Sequence, residues 1–217
     1  MIVMGIFTGC NKKETTHWET TINDIDGNIY HTMTVGGQVW LVENLRTTRY
    51  RNGDPIPNIR DSASWCHQTQ GAYCNYENDT LRSTPYGHLY NWYAVTDSRK
   101  LAPAGWHVAS DAEWLGMINT LGGEQDAGGK IKEAGVGHWN PPNAGATNAS
   151  GLTALPGGGR IGGKCYNLGS NAYFWTATEH LKASAVYRNM IFDYVDVSHG
   201  SSDKRNGLSI RCIKDTK

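Results

Sequence analysis

Apolar positions along this chain recur with two different periods, and the two occupy separate blocks. Between Ser83 and Gly123 they return every three or four residues, the spacing of one helix face. Trp114, Met117, Ile118 and Leu121 follow Ser110-Asp111-Ala112-Glu113, an S-x-x-E box in which the serine caps the Glu113 amide and the glutamate reaches back. Gly122-Gly123 ends that helix, because glycine takes the left-handed conformation cheaply. An earlier helix is expected from Ser83 or Thr84, with Pro85 in its first turn and Leu89, Tyr90, Trp92 and Tyr93 on a bulky aromatic face. Between the two, Gly105-Trp106-His107-Val108 is short, apolar and bounded by turn formers, so it reads as a buried strand.

Outside that block the period falls to two. Asp24–Asn44 alternates around turns at Asp26-Gly27 and Gly36-Gly37, a β-meander with strands at Thr32–Val35 and Gln38–Val42. Gly151–Pro156, Tyr173–Thr178, Val186–Val197 and Leu208–Lys214 read as further strands of an antiparallel set. Leu45–Asn78 is loop-rich and expected to be anchored by Trp65 and Tyr73. After a short helical piece around Asp126–Ala134, the segment His138–Asn148 carries amides and a tryptophan without any period. Helices in one block with strands on both sides predict an α+β domain: two main helices, an antiparallel sheet and long glycine-rich loops.

At 217 residues the chain is expected to be one domain over residues 22–217, behind a leader and tether over 1–21. Twenty basic and 20 acidic residues cancel, which leaves no electrostatic footprint for nucleic acid. Eight tryptophans and 11 tyrosines against three phenylalanines mean rings with an apolar body and a polar tip. Such rings pack a thin core or line a sugar- or protein-binding surface, and composition does not separate the two. Met1–Phe7 is too short to span a bilayer. Ile6-Phe7-Thr8-Gly9-Cys10 resembles the lipobox of bacterial lipoproteins, with Cys10 lipidated, which predicts a cell-envelope address held to the membrane through lipid alone. The remaining cysteines, Cys66, Cys74, Cys165 and Cys212, allow two disulfides in three pairings. Cys66 and Cys74 flank a short turn-rich loop and suit a local pair, which leaves Cys165 with Cys212.

In this order, DIDGNIY, QVWLVENLRTTRY, GAYC, YGHLYNWYAV, GWHVASDAEW, GATNASGLTALPGG, YFWTATE and LSIRCIKD resemble the Fibrobacter succinogenes major paralogous domain, from about Asp24 to Asp215. Many members carry cysteine where this chain has Ala102, so Cys165 becomes the substitute partner that the resemblance implies for Cys212. More distantly, the helix–strand–helix followed by late strands is similar to the C-type-lectin-like fold and its formylglycine-generating-enzyme branch. VASDAEW and IRCI are the stretches that carry that likeness, and they imply fold only.

Candidate chemistry is correspondingly spare. The enzyme reading would need a late cysteine pair, and Tyr173–Lys214 holds Cys212 alone. The histidines are scattered, and no serine sits in G-x-S-x-G. Gly157–Gly163 lacks the G-K-[ST] ending and following helix of a phosphate loop, so it reads as a flexible connection. The D-x-D-G-N stretch at Asp24 has neither the glycine position nor the terminal glutamate of an EF-hand and reads as a turn. Lectin-like folds place function on long loops. The binding residues expected from that likeness are Trp139, Asn140, Asn143 and Asn148, with Glu179: tryptophan as a stacking face, amides and carboxylate as directed hydrogen-bonding groups. The same groups could serve to hold the loop in place. Amides and carboxylate could also ligate calcium, yet neither E-P-N nor W-N-D is present, and no cofactor is expected. The function expected is therefore a noncatalytic surface module that binds a polysaccharide or a surface protein. A purely structural module and a formylglycine-generating-type modifying enzyme are the alternatives.

Overall fold

The meander forms where alternation placed it, and the computed structural model describes it within residues 19–216; Cys10 and the apolar start lie outside the described residues. Strands β1 (Thr21–Asn23), β2 (Ile29–Val35) and β3 (Gln38–Leu41) pair antiparallel, turning at Asp24–Gly27 and Gly36-Gly37. The loop that follows carries one short helix, α1 (Ser62–Cys66), capped by Asp61, and strand β4 (Tyr73–Cys74).

The expected first long helix is broken. Its residues make α2 (Ser83–Tyr86), then strand β5 (Leu89–Tyr90), then α3 (Trp92–Val95). Gly87 causes the break. It sits at φ +73, and a Cβ there would stand 2.7 Å from Asn44 and from the Leu45 carbonyl. The chain therefore turns against the meander instead of continuing a helix. Asn91 then caps α3 by accepting from the Ala94 amide. Strand β6 (Trp106–Val108) and helix α4 (Asp111–Thr120) form as the sequence predicts, with both halves of the Ser110–Glu113 capping box present. Trp114, Met117 and Ile118 are buried on its inner face. Helix α5 (Glu124–Ile131) keeps two glycines inside it because other backbone passes there. A Cβ on Gly128 would meet the Asp196 carbonyl at 2.1 Å, and one on Gly129 the Gly145 carbonyl at 2.3 Å.

The remaining strands are β7 (Gly157–Ile161), β8 (Lys164–Leu168), β9 (Asn171–Leu181), β10 (Ser184–Ile191), β11 (Ser198–Asp203), β12 (Ser209–Ile210) and β13 (Cys212–Lys214). One sheet runs β1-β2-β3-β13-β6. The other runs β11-β10-β9-β7-β8, with β12 also on β9, and β4 pairs with β5. Three expectations are corrected. The glycine run at 157–161 is a strand, invisible to periodicity because glycines present no side chains to alternate. Residues 151–156 are not a strand and contribute a single bridge, Lys132 to Ala154. Nor is the set wholly antiparallel, since β9 is parallel to both β7 and β12. The fold is mixed helix and sheet, mostly β, and among the described residues only α4 and α5 exceed two turns.

Between β12 and β13 the chain crosses from the second sheet to the first, and Arg211 is the residue of the crossing. Its buried guanidinium donates to the carbonyls of Leu41, Val42, Leu152 and Thr153 and to the Asn44 side chain. Lys132 does the same for another loop. It is 0% exposed, and Nζ donates to the carbonyls of Ala144 at 2.9 Å, Ile191 at 3.1 Å and Tyr194 at 2.7 Å.

All seven described tryptophans are buried, so these rings are used for core, while Tyr166 and Tyr194 are exposed. Cys66, Cys74, Cys165 and Cys212 are free thiols, and neither expected disulfide is formed. Cys212 packs in the cluster around Tyr30, Tyr90 and Trp106, together with Ala102. Cys165 lies elsewhere, against the cluster of Trp65 and Cys74, and cannot substitute as the partner of Cys212. No helix among the described residues is long and apolar enough to cross a membrane.

Replacing Lys132 with methionine keeps the stem but strands three carbonyls. Lys132→Met is expected to cost about 3–5 kcal/mol, read as a lower urea midpoint. A loss under about 1 kcal/mol would show that the loop is held by other means.

Candidate binding groove

The loop singled out from the sequence is not an open site. Trp139 is 1% exposed, its indole N–H donates to the Ala154 carbonyl at 3.0 Å, and the Lys132 ammonium lies 5.3 Å from its ring centre. Its faces belong to the core, which corrects the expectation of a stacking platform. Asn143 is also buried, with Nδ2 donating to the carbonyls of Glu133 and Gly135. Asn148, at φ +53, closes a turn by accepting from the Thr153 amide and donating to its hydroxyl. Both hold the loop in place. Asn140 is exposed and donates to the Ser170 hydroxyl. Glu179 is half-exposed and paired with Lys204, and among the described residues no hydrogen bond or ion pair joins it to the other four.

Open space gathers instead around residues 46–51. A cavity of about 510 Å³ lies between Arg51, Thr96, Lys100, Leu101, Trp106, His107 and Asp215. A second, of about 280 Å³, shares Arg51, Leu101 and Ala102 with the first and extends to Asn23, Thr47, Arg49 and Ala104. A third, of about 400 Å³, shares Arg49 with the second and is lined by Asp26, Asn28, Arg46, Thr48, Ser83, Thr84 and His88. Shared lining at Arg51 and Arg49 links the three, together called the groove.

Buried tyrosines hold the backbone of this segment in place. The Arg46 amide donates to the Tyr30 hydroxyl at 3.0 Å, and the Tyr90 hydroxyl donates to the Thr47 carbonyl at 2.6 Å. The Tyr30 hydroxyl in turn donates to Asp24 at 2.7 Å. The far wall is tied by arginines. Arg51 donates to the carbonyls of Ala102, Pro103 and Trp106. Arg99 lies 4.1 Å from the centre of the Tyr50 ring and pairs with Asp97 at 2.7 Å and Asp54 at 3.3 Å. Hydrogen bonding from Arg99 holds the Asp97 carboxyl down to about 2. The groove is thus built on fixed side chains although its backbone is irregular. R-T-T-R-Y-R, three arginines in six residues of a loop, is the sequence signal that marks it.

Its two histidines are tuned in opposite directions. Burial first, and then the Arg46 guanidinium, push the His88 imidazole down to about 4, so it is neutral at pH 7. His107 is bracketed by Asp215 at 2.7 Å and Glu113 at 2.8 Å. Burial alone would lower its titration, but the two carboxylates outweigh it and raise it. Neither histidine has a serine, threonine or cysteine as hydrogen-bond partner among the described residues. No group of three or more metal-ligating side chains among the described residues is placed to hold an ion.

A family model described as the Fibrobacter succinogenes major domain matches residues 33–214. No curated protein and no solved structure matches the chain.

The two histidines predict a stability profile with two limbs. The folded chain holds His88 neutral while the unfolded chain protonates it near 6.5, so stability falls as pH drops from about 6.5 to about 4. That limb is on the order of 3 kcal/mol, and His88→Gln should flatten it. His107 has the opposite sign: its contribution is complete below about 6.5 and is lost as pH rises through its raised folded value. Urea unfolding from pH 4 to 8 checks both, and an acid limb unchanged in His88→Gln contradicts the assignment.

Proposed function

This chain belongs to the Fibrobacter succinogenes major domain family, and from that premise and its groove we propose that it is a noncatalytic binding module that recognises an extended polar ligand, a polysaccharide strand. Three cavities that share lining residues along 46–51 carry this reading. Each has the size of a small-ligand subsite, and neighbouring ones share lining residues, which suits a linear polymer better than a compact molecule. The lining supplies charged and hydroxyl groups of both hydrogen-bonding senses: arginine and lysine donors, aspartate acceptors, and threonines and serines that do both. Arg49 and Arg51 are long, amphipathic partitions that a sugar ring can lie against. The absence of a nucleophile–base pair at either groove histidine favours binding over turnover. A lectin-like relationship and an address on the cell envelope through a lipid on Cys10 complete the proposal. Both agree with a rigid frame that presents its loops outward, and they rest on the sequence resemblance.

Titration of the full chain with a panel of neutral and acidic plant and bacterial polysaccharides, followed by melting temperature and calorimetry, tests this. A ligand at ten times its Kd adds about 1.4 kcal/mol, a rise of roughly 3–6 °C for a chain of this size. Ala104 is exposed and lines the middle cavity, so Ala104→Arg should fill the groove, abolish the rise and leave the fold intact. A flat response across the panel would move the function to protein contacts, and undiminished binding by Ala104→Arg would place the site elsewhere.

A further inference from the structure

We propose that the cavity at the His88 end of the groove is an oxyanion site, taking a carboxylate, sulfate or phosphate group through Arg46 and the hydroxyl of Thr84. The charges that face it do not cancel. Arg49 is paired with Asp26 at 3.4 Å and also donates to the Gly53 carbonyl. The Asp26 carboxylate is taken up further by the hydroxyls of Thr47 and Thr48 and by the Thr48 amide. Arg46 lines the same cavity, and no carboxylate among the described residues pairs with it. One guanidinium charge is left over, and it points to a ligand with one compensating charge.

Two buried polar atoms make the same demand. Arg46 Nε is shielded from solvent and has no hydrogen-bond partner among the described residues, and so is Nδ1 of His88, a side chain 7% exposed. A buried polar group left unpaired is costly, so a bound group that satisfies these atoms is favoured by the cost it removes. Guanidinium is a fork of donors matched to carboxylate, sulfate and phosphate oxygens, and such charge-assisted bonds are about twice as strong as neutral ones. His88 is held in position for this. Its ring packs 4.5 Å from that of Tyr73, and its amide donates to the Leu45 carbonyl at 3.0 Å, which fixes it beside Arg46. Ser83 and Thr84 also line the cavity; the Ser83 hydroxyl donates to the Thr80 carbonyl at 2.7 Å, so the Thr84 hydroxyl is the one that completes the donor set. A cation is disfavoured by the excess positive charge, and a neutral sugar would leave Arg46 uncompensated.

The inference does not depend on carbohydrate recognition by the rest of the groove, because a free anion tests it alone. The full chain is titrated with sodium sulfate, sodium phosphate, sodium glucuronate and glucose at constant ionic strength, followed by calorimetry and by the His88 imidazole resonances. Saturable binding of at least one oxyanion is expected, with a shift at His88 and no response to glucose. Arg46→Gln should weaken binding by about tenfold or more, the loss of one charge-assisted contact. Ser83→Asp, a change at a partly exposed hydroxyl, should abolish it through like-charge repulsion. Preference for glucuronate identifies a carboxylate sugar as the source, and preference for sulfate or phosphate identifies an ester or free ion. Absence of saturable binding by every oxyanion, or binding unchanged in Ser83→Asp, overturns the proposal even if Arg46→Gln fails to fold. Ala104→Arg should retain anion binding while losing any polysaccharide, so failure of this site and failure of the groove are told apart.

Discussion

Buried cations that donate to backbone carbonyls are the interaction on which this fold depends. Long stretches of the chain have no ladder partner, and a buried carbonyl without a partner is costly. Arg211 supplies donors to four carbonyls where the chain crosses between the two sheets, Lys132 to three in the loops around residue 144, and Arg160 to those of Ile59, Arg60 and Gly163. Each cation also faces an aromatic ring, Phe174, Trp139 and Trp65 respectively, which offsets part of the cost of removing its charge from water. One side chain thus does for an irregular loop what a neighbouring strand does for a strand. The arrangement explains why glycine-rich segments can pack into a defined interior without regular structure.

The same device, moved to the surface, builds the groove. Arg51 donates to three carbonyls of the 102–106 turn, as Lys132 does inside, but its other face borders two cavities. Arg99 is clamped by two aspartates and the Tyr50 ring. Arg46 alone lacks such an anchor, and the difference between it and its neighbours is what separates a structural arginine from one available to a ligand.

What the sequence made legible was local. The capping box at Ser110–Glu113, the meander turns and strand β6 depend on residues a few positions apart, and all appear as expected. The break at Gly87 is set by the approach of Asn44 and Leu45, more than 40 positions away, so a helical period in 83–93 could not reveal it. Strand β7 is defined by backbone pairing across glycines. Trp139 was read as a ring free to stack because the residues that cover it, Lys132 and Ala154, are joined to it only in three dimensions. Asn143 and Asn148 proved to be turn-holding amides, a role their residue type allowed equally well. The arginine run at 46–51 was visible, but its chemistry depends on which guanidiniums find carboxylates, and that is a property of the folded chain.

Cysteine shows the same limit from the other side. Counting four thiols suggested two bridges, and the resemblance suggested that Cys165 replaces a partner lost at position 102. In the fold Ala102 packs in the same cluster as Cys212, while Cys165 is grouped with Cys74 around Trp65. Burial pushes the Cys74 and Cys212 thiols up to about 12, which makes them inert hydrophobes rather than reactive groups. Ala102 contributes a methyl group to the apolar cluster that also holds Cys212. Where the chain needs to tie distant segments together, it does so with guanidinium and ammonium donors instead of sulfur. Its reach across loops therefore depends on charge and hydrogen bonding, and the groove, built from the same residue types, inherits that chemistry.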